Sequence, residues 1–211
     1  MNLKPTAPID APAIMKRTAF ALLWLALVAQ VTWMVFHHLR LGKSWGSMSY
    51  PLTYACPFLL LALTYGHVRW IAALLRLPIA IAFLDAVADR LGLFGPHGAP
   101  DVTWGDFAHF VAYTAKVNSF MPSATIPSLA VLATIGETAL GLALLLGIRI
   151  PFAAMGSAAL LFLFATAMII SGYSQFAYGV YLMAAGALAL STVDASLFSV
   201  DALRSWRPKI I

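Results

Sequence analysis

Long apolar runs recur along the chain, parted by short clusters of charge, Gly and Pro. The first covers Thr18 to His38, 21 residues without Lys, Arg, Asp or Glu. A helix needs roughly 20 mostly apolar residues to cross a bilayer. The second run covers Tyr50 to Gly66 and holds Pro51 and Pro57, so its start is expected to be irregular or kinked. His67 and Arg69 close it. The third runs from near Ile71 to near Leu91, with Arg76 inside and Asp85, Asp89 and Arg90 in its last turns. Three more follow: Ile126 to Leu146, which contains Glu137, then Phe152 to Ile170, then Phe176 to Leu190. Tight turns are expected at 147–151 and 171–175, where Gly, Pro and Ser gather.

The long connection at 92–125 breaks this rhythm. It starts with Gly95-Pro96-His97-Gly98-Ala99-Pro100, which is turn chemistry. Thr103-Trp104-Gly105-Asp106 then has the form of a helix start. Phe107, Phe110, Val111, Thr114 and Val117 recur at helical spacing, with Asp106, His109, Tyr113 and Lys116 opposite. The pattern predicts an amphipathic helix near 103–120, ended by Pro122, resting at a membrane interface or capping the bundle.

Composition agrees with the pattern. Of 211 residues, 62% are apolar and 10% charged, against about half and about a quarter in soluble domains. That excludes an ordinary soluble enzyme and a disordered segment. The net charge of +5 would raise nucleic acid in a soluble chain. Here the bases flank apolar runs and are read as topology signals instead. With six spans and the N-terminus inside, nine of the 13 Lys and Arg fall on the cytoplasmic side: Lys4, Lys16, Arg17, Arg69, Arg76, Arg149, Arg204, Arg207 and Lys209. Arg40, Lys43, Arg90 and Lys116 fall on the other. The bias puts both termini in the cytoplasm, and the count takes Arg76 to snorkel to that interface. Residues 15–29 also have the layout of a signal peptide, Lys16-Arg17, an apolar core, then Ala29. The apolar run continues through Val31, Trp33 and Phe36, which argues for a retained span.

The expected fold is all-α, a polytopic integral membrane protein. Residues 1–17 read as a flexible cytoplasmic tail, 18–70 as two N-terminal spans, 71–192 as a four-helix membrane domain and 193–211 as a second tail.

Candidate chemistry is sparse. Glu137 is the one Glu of the chain and falls in mid-helix, where a charge is costly. Ala130, Ala133 and Gly141 share its face, and small residues mark helix contacts in membranes. Glu137 is therefore expected to face the bundle interior. There it would act as a proton relay or a ligand for a polar headgroup or quinone, or as a protonated or paired carboxyl that fixes packing. Asp85 and Asp89 stand one helical turn apart. With Arg90, His109 and Tyr113 they form a candidate polar site at the bundle mouth, or else a solvated helix end. His37, His38, His67, His97 and His109 offer no pair at one membrane depth, which argues against bis-histidyl haem. Trp45, Tyr50, Trp70, Trp104, Tyr173, Tyr178 and Trp206 read as interfacial anchors. Cys56, the lone cysteine, reads as a small packing residue. No spacing of metal ligands, phosphate loop or nucleophile elbow is present, and no metal is expected.

From Arg76 to about Thr192 the chain resembles the DoxX family of small bacterial membrane proteins, related to the membrane subunit of thiosulfate:quinone oxidoreductases. The carrying residues are Arg76, Asp85-Ala-Val-Ala-Asp89-Arg90, Gly136-Glu137-Thr138-Ala139-Leu140-Gly141, Leu144-Leu145-Leu146-Gly147-Ile148-Arg149 and Ala165-Thr166-Ala167-Met168. Two departures stand out. Residues 1–70 add two spans to the family's four-helix core, and Gln175-Phe176 replaces the Pro-Leu common after the fifth run. The resemblance implies a multi-pass protein of the bacterial inner membrane. It would serve as subunit or anchor of a sulfur- or quinone-linked redox system, with quinone as the cofactor to consider and a soluble or membrane redox protein as partner. A non-catalytic scaffold or assembly factor is the alternative, and a small-solute or proton transporter a further one. Beyond the bilayer itself no partner is read from the residues, and no oligomeric state follows.

Overall fold

The computed structural model describes residues 11–42 and 49–205. Lys4, Pro5, Pro8, Lys43, Trp45, Trp206, Arg207 and Lys209 lie outside the described residues, as do the side chains of Tyr50 and Arg204. Every regular element among the described residues is helical: α1 Ala11–Leu41, α2 Ser49–Thr64, α3 Arg69–Arg90, α4 Phe107–Val117, α5 Ile126–Leu146, α6 Ile150–Ile170, α7 Ser174–Leu190 and α8 Val200–Ser205.

Among the described residues four helices are long and apolar enough to cross a membrane: α1, α3, α5 (with the short turn of 3-10 helix before it) and α6. Six such runs were expected. The other two, α2 and α7, form helices of 16 and 17 residues. At 1.5 Å per residue these are about 24–26 Å long, short of a hydrocarbon core of about 30 Å. α2 runs through Pro57 as one helix. α1 begins at Ala11, and part of the segment read as a flexible tail is helical.

α7 is the axis of the bundle. α6, α1, α2 and α3 all pack on it, and its largest interface is with α6. Its own composition makes this possible: Ala177, Ala184, Ala187 and Ala189 are buried along it with Leu182, Met183 and Leu190. Small side chains let backbones approach closely. At Gly186 the approach is closest, and a Cβ there would run into the Phe58 ring of α2. Phe20, Leu23, Phe58, Leu61, Ile79, Leu144 and Leu182 join one continuous apolar cluster around this axis. α5 stands apart from α7 and packs on α3 and α6. At Gly141 a Cβ would sit 3.0–3.2 Å from Leu84 and Phe83 of α3.

Residues 193–205, expected as a tail, fold back over one end of the bundle as far as they are described. The cause is Arg76. It is 3% exposed. Its Nη1 donates to the Ala195 carbonyl at 3.1 Å and its Nη2 to the Phe198 carbonyl. The same segment is pinned at further points. Asp201 N–H donates to the Gly147 carbonyl at 3.1 Å, and Asp194 pairs with Arg69 at 2.8 Å. Gly147 ends α5 with φ of 67° and lies against Ser199, a backbone angle and a clearance that both favour glycine. The Ser196 hydroxyl and N–H, helped by Arg69, hold the Asp194 carboxyl below its ordinary value.

Arg76→Met leaves the two carbonyls without their buried donor, and a buried unsatisfied group costs about 1–3 kcal/mol. The expected outcome is a lower melting temperature in detergent and faster proteolysis just beyond α7. A variant that melts and is cleaved like the wild type would show that the arginine does not hold this segment.

Candidate functional site

At the opposite end of α3 a second buried arginine organises a second set of contacts. Arg90 is the last residue of the helix, and its Nε donates back to the Ala86 carbonyl at 2.9 Å. The side chain therefore lies along the helix toward α5. Its Nη2 meets Glu137 Oε2 at 2.6 Å, and its Nη1 donates to the Thr134 hydroxyl at 3.0 Å. Thr134 in turn donates to the Ala130 carbonyl at 2.8 Å. Arg90 is 1% exposed and Glu137 6%, so both charges are withdrawn from solvent. Glu137 reaches this position because Ala130 and Gly141 on its face are small and buried.

Two aromatic rings complete the shell. The Phe110 ring of α4 lies 3.6 Å from the guanidinium carbon and the Trp104 ring 5.2 Å. The two rings meet edge to face at 5.1 Å. Aromatic faces attract a guanidinium most where water is excluded.

Asp89 places Trp104. Its carboxylate accepts N–H bonds from Thr103 and Trp104 at 3.0 Å each and from Gly105 at 3.1 Å. Gly105 has φ of 71°, and a Cβ there would strike the backbone of Pro96 and His97, so the turn needs glycine. The loop then enters α4, whose N-cap is Asp106. Thr103 was expected to start this helix, but its N–H serves Asp89 instead. The His109 N–H and ring hold the Asp106 carboxyl below its ordinary value.

The five residues expected at the bundle mouth separate accordingly. Asp89 and Arg90 belong to one network at the end of α3, joined through Trp104. Asp89 is 5% exposed, so the expected solvated helix end applies only to Asp85, which is exposed. Tyr113 joins the network through Trp104, with ring centroids 5.5 Å apart. Burial, then the neighbouring Tyr173, pushes its hydroxyl above the ordinary value. His109 belongs to an outer cluster: its Nδ1 lies 2.8 Å from Asp106 Oδ2, and its ring stacks on His97 at 3.7 Å.

Glu137 pointing inward was legible from the sequence; its partner was not. Thr134 stands three residues before Glu137, a spacing that could have suggested it. Trp104 is half-buried over Arg90. Trp70 is 57% exposed. Cys56 is exposed on α2 and is not a packing residue.

Among the described residues no group of three His, Cys, Asp or Glu could hold a metal ion. A separate groove of about 500 Å³ opens between α1, α6 and α7, lined by Leu25, Ala29, Phe162, Tyr178 and Tyr181 among others, and by no residue of α3 or α5. No protein-family profile, no curated protein and no solved structure matches the chain.

Removing one member of a buried ion pair costs about 3–5 kcal/mol, because the other charge stays buried. Glu137→Leu or Arg90→Met alone is therefore expected to lower stability by that order. The Arg90→Met, Glu137→Leu double variant is expected to recover most of the loss. Thermal unfolding of the four proteins in one detergent checks this. Losses that simply add in the double variant would show that the pair is not coupled.

Proposed function

We propose that this is a DoxX-like integral membrane protein that serves as membrane subunit or anchor of a sulfur- or quinone-linked redox system. In this reading it lies in a bacterial inner membrane with both termini cytoplasmic. The observation that carries the proposal is the Arg90–Glu137 pair at 2.6 Å, buried between two apolar helices. Ionisable residues inside a membrane are expensive and concentrate where protons or polar ligands are handled. The pair is neutral as a unit. A proton taken by Glu137 discharges the carboxylate and leaves Arg90 held by Thr134, the Ala86 carbonyl and two rings. That is a coupling between proton uptake and the contact of α3 with α5. A quinone headgroup or a partner protein at this end of the bundle would respond to it.

A second reading, a non-catalytic scaffold, draws on a different observation. The large apolar groove is lined by α1, α6 and α7 alone, on elements other than those that hold the ion pair. A bundle that recruits another membrane component would use such a surface without chemistry.

Thiosulfate-dependent quinone reduction, measured on purified protein with the products of its neighbouring genes, tests the first reading. Glu137→Gln is expected to lower the rate tenfold or more at wild-type protein level. Equal rates in wild type and variant would remove the proton role. A stable complex recovered with an unchanged rate would favour the scaffold.

A further inference from the structure

We propose that the end of the bundle formed by the α5–α6 turn and residues 193–203 docks on anionic phospholipid headgroups. Arg149 meets the phosphate, and Phe198, Leu203 and Phe152 seat in the acyl boundary beside it. This surface lies far from the Arg90–Glu137 pair, at the other end of α3, and needs no redox partner. Among the described residues the three most exposed large apolar side chains are Phe198 at 84%, Phe152 at 78% and Leu203 at 75%. All three belong to this end. α6 begins at Ile150, whose N–H donates to Asp201 Oδ2 at 3.3 Å. The Asp201 N–H donates to the Gly147 carbonyl at 3.1 Å, and Ser199 lies against Gly147. Phe198 and Leu203 are therefore held near the first turn of α6, which carries Phe152. That turn is the boundary of a helix apolar enough to span. A segment bonded to it stands where hydrocarbon gives way to headgroups. Trp70, in the first turn of α3, is exposed at the same end, and indoles favour that level.

The backbone supports the same reading. Phe198 has φ of 54° and Arg149 φ of 46°, a region that bulky side chains rarely take. Such strain persists only where the surroundings impose it. At Phe198 they do: Arg76 Nη2 donates to its carbonyl, and the Ser199 hydroxyl donates to the Ser196 carbonyl. A phenyl ring held out into water gains nothing from this posture. Held in the acyl boundary, it buries its apolar area. Charge then selects the headgroup. Among the described residues Lys16, Arg17 and Arg149 at this end form no ion pair. The acids here are engaged: Asp194 pairs with Arg69, and Asp201 accepts from Ile150. The next bases in sequence are Arg204, Arg207 and Lys209. The other end has the opposite balance, with Asp85, Asp101 and Asp106 exposed against Arg40 and Lys116. Unpaired bases around an apolar patch at bilayer level complement anionic lipid. A soluble protein would have to reach the same patch through the headgroups.

Photo-crosslinking of the full chain tests this, with p-benzoylphenylalanine in place of Phe198. The protein is placed in nanodiscs of equal parts phosphatidylcholine and phosphatidylglycerol. Mass spectrometry is expected to find lipid adducts, with phosphatidylglycerol in about threefold excess or more. Arg149→Asn removes the charge and suits the left-handed backbone; it is expected to cut that excess by about half or more. Arg149→Lys and, at the other end, Arg40→Asn are expected to preserve it. The same protein illuminated in the membranes of the cells that express it is expected to give phospholipid adducts. Discs that yield no lipid adduct overturn the proposal. So does an equal yield of the two lipids, or an excess that survives Arg149→Asn. A cross-link to a protein in the cell membranes assigns the surface to that partner and overturns the proposal as well.

Discussion

A guanidinium and a carboxylate withdrawn from water must find each other, and the helix that carries each must sit where that is possible. Here Arg90 is the last residue of α3, while Glu137 lies at the middle of α5. Their meeting therefore requires the two helices to be offset along their axes. Gly141 beside Leu84 and Phe83 shows the same offset one turn further on. With α3 ending at the level of the middle of α5, the first half of α5 has no α3 beside it. The loop and α4 fill that space, and Phe110 and Trp104 arrive there because the cation below offers them a seat.

Both arginines buried in α3 act by the same logic at different levels. Arg90 finds a carboxylate, a hydroxyl and two ring faces. Arg76 finds backbone carbonyls supplied by residues more than 100 positions away in the sequence. A buried cation demands acceptors wherever it stands. In each case the demand orders a segment that belongs to none of the long helices. The loop at 92–106 and the segment at 193–205 take their shapes from polar groups in the helix they cover.

The helices were legible in the sequence because apolar runs ended by Gly, Pro and charge leave few other readings. α5 coincides with the run Ile126 to Leu146, and α6 and α7 start within two residues of theirs. The inward aim of Glu137 was legible from its small neighbours. What pairs with it was not, because helical periodicity reports a face and says nothing of the axial offset between two helices. The loop bonds of Asp89 were hidden for a related reason: N–H groups carry no side-chain signal. The central place of α7 was hidden too, since its run of Ala and Gly reads much like any other short span.

α7 is short, nearly wrapped by its neighbours, and last among the helices of the bundle to leave a ribosome. Its principal partners include α1, the first. A translocating machine that releases helices one by one meets α7 as a short, Ala-rich segment whose neighbours from α1 to α6 have already been made. The order of synthesis and the architecture thus agree. The contact of α7 with α1 joins the earliest and the latest helix of the bundle.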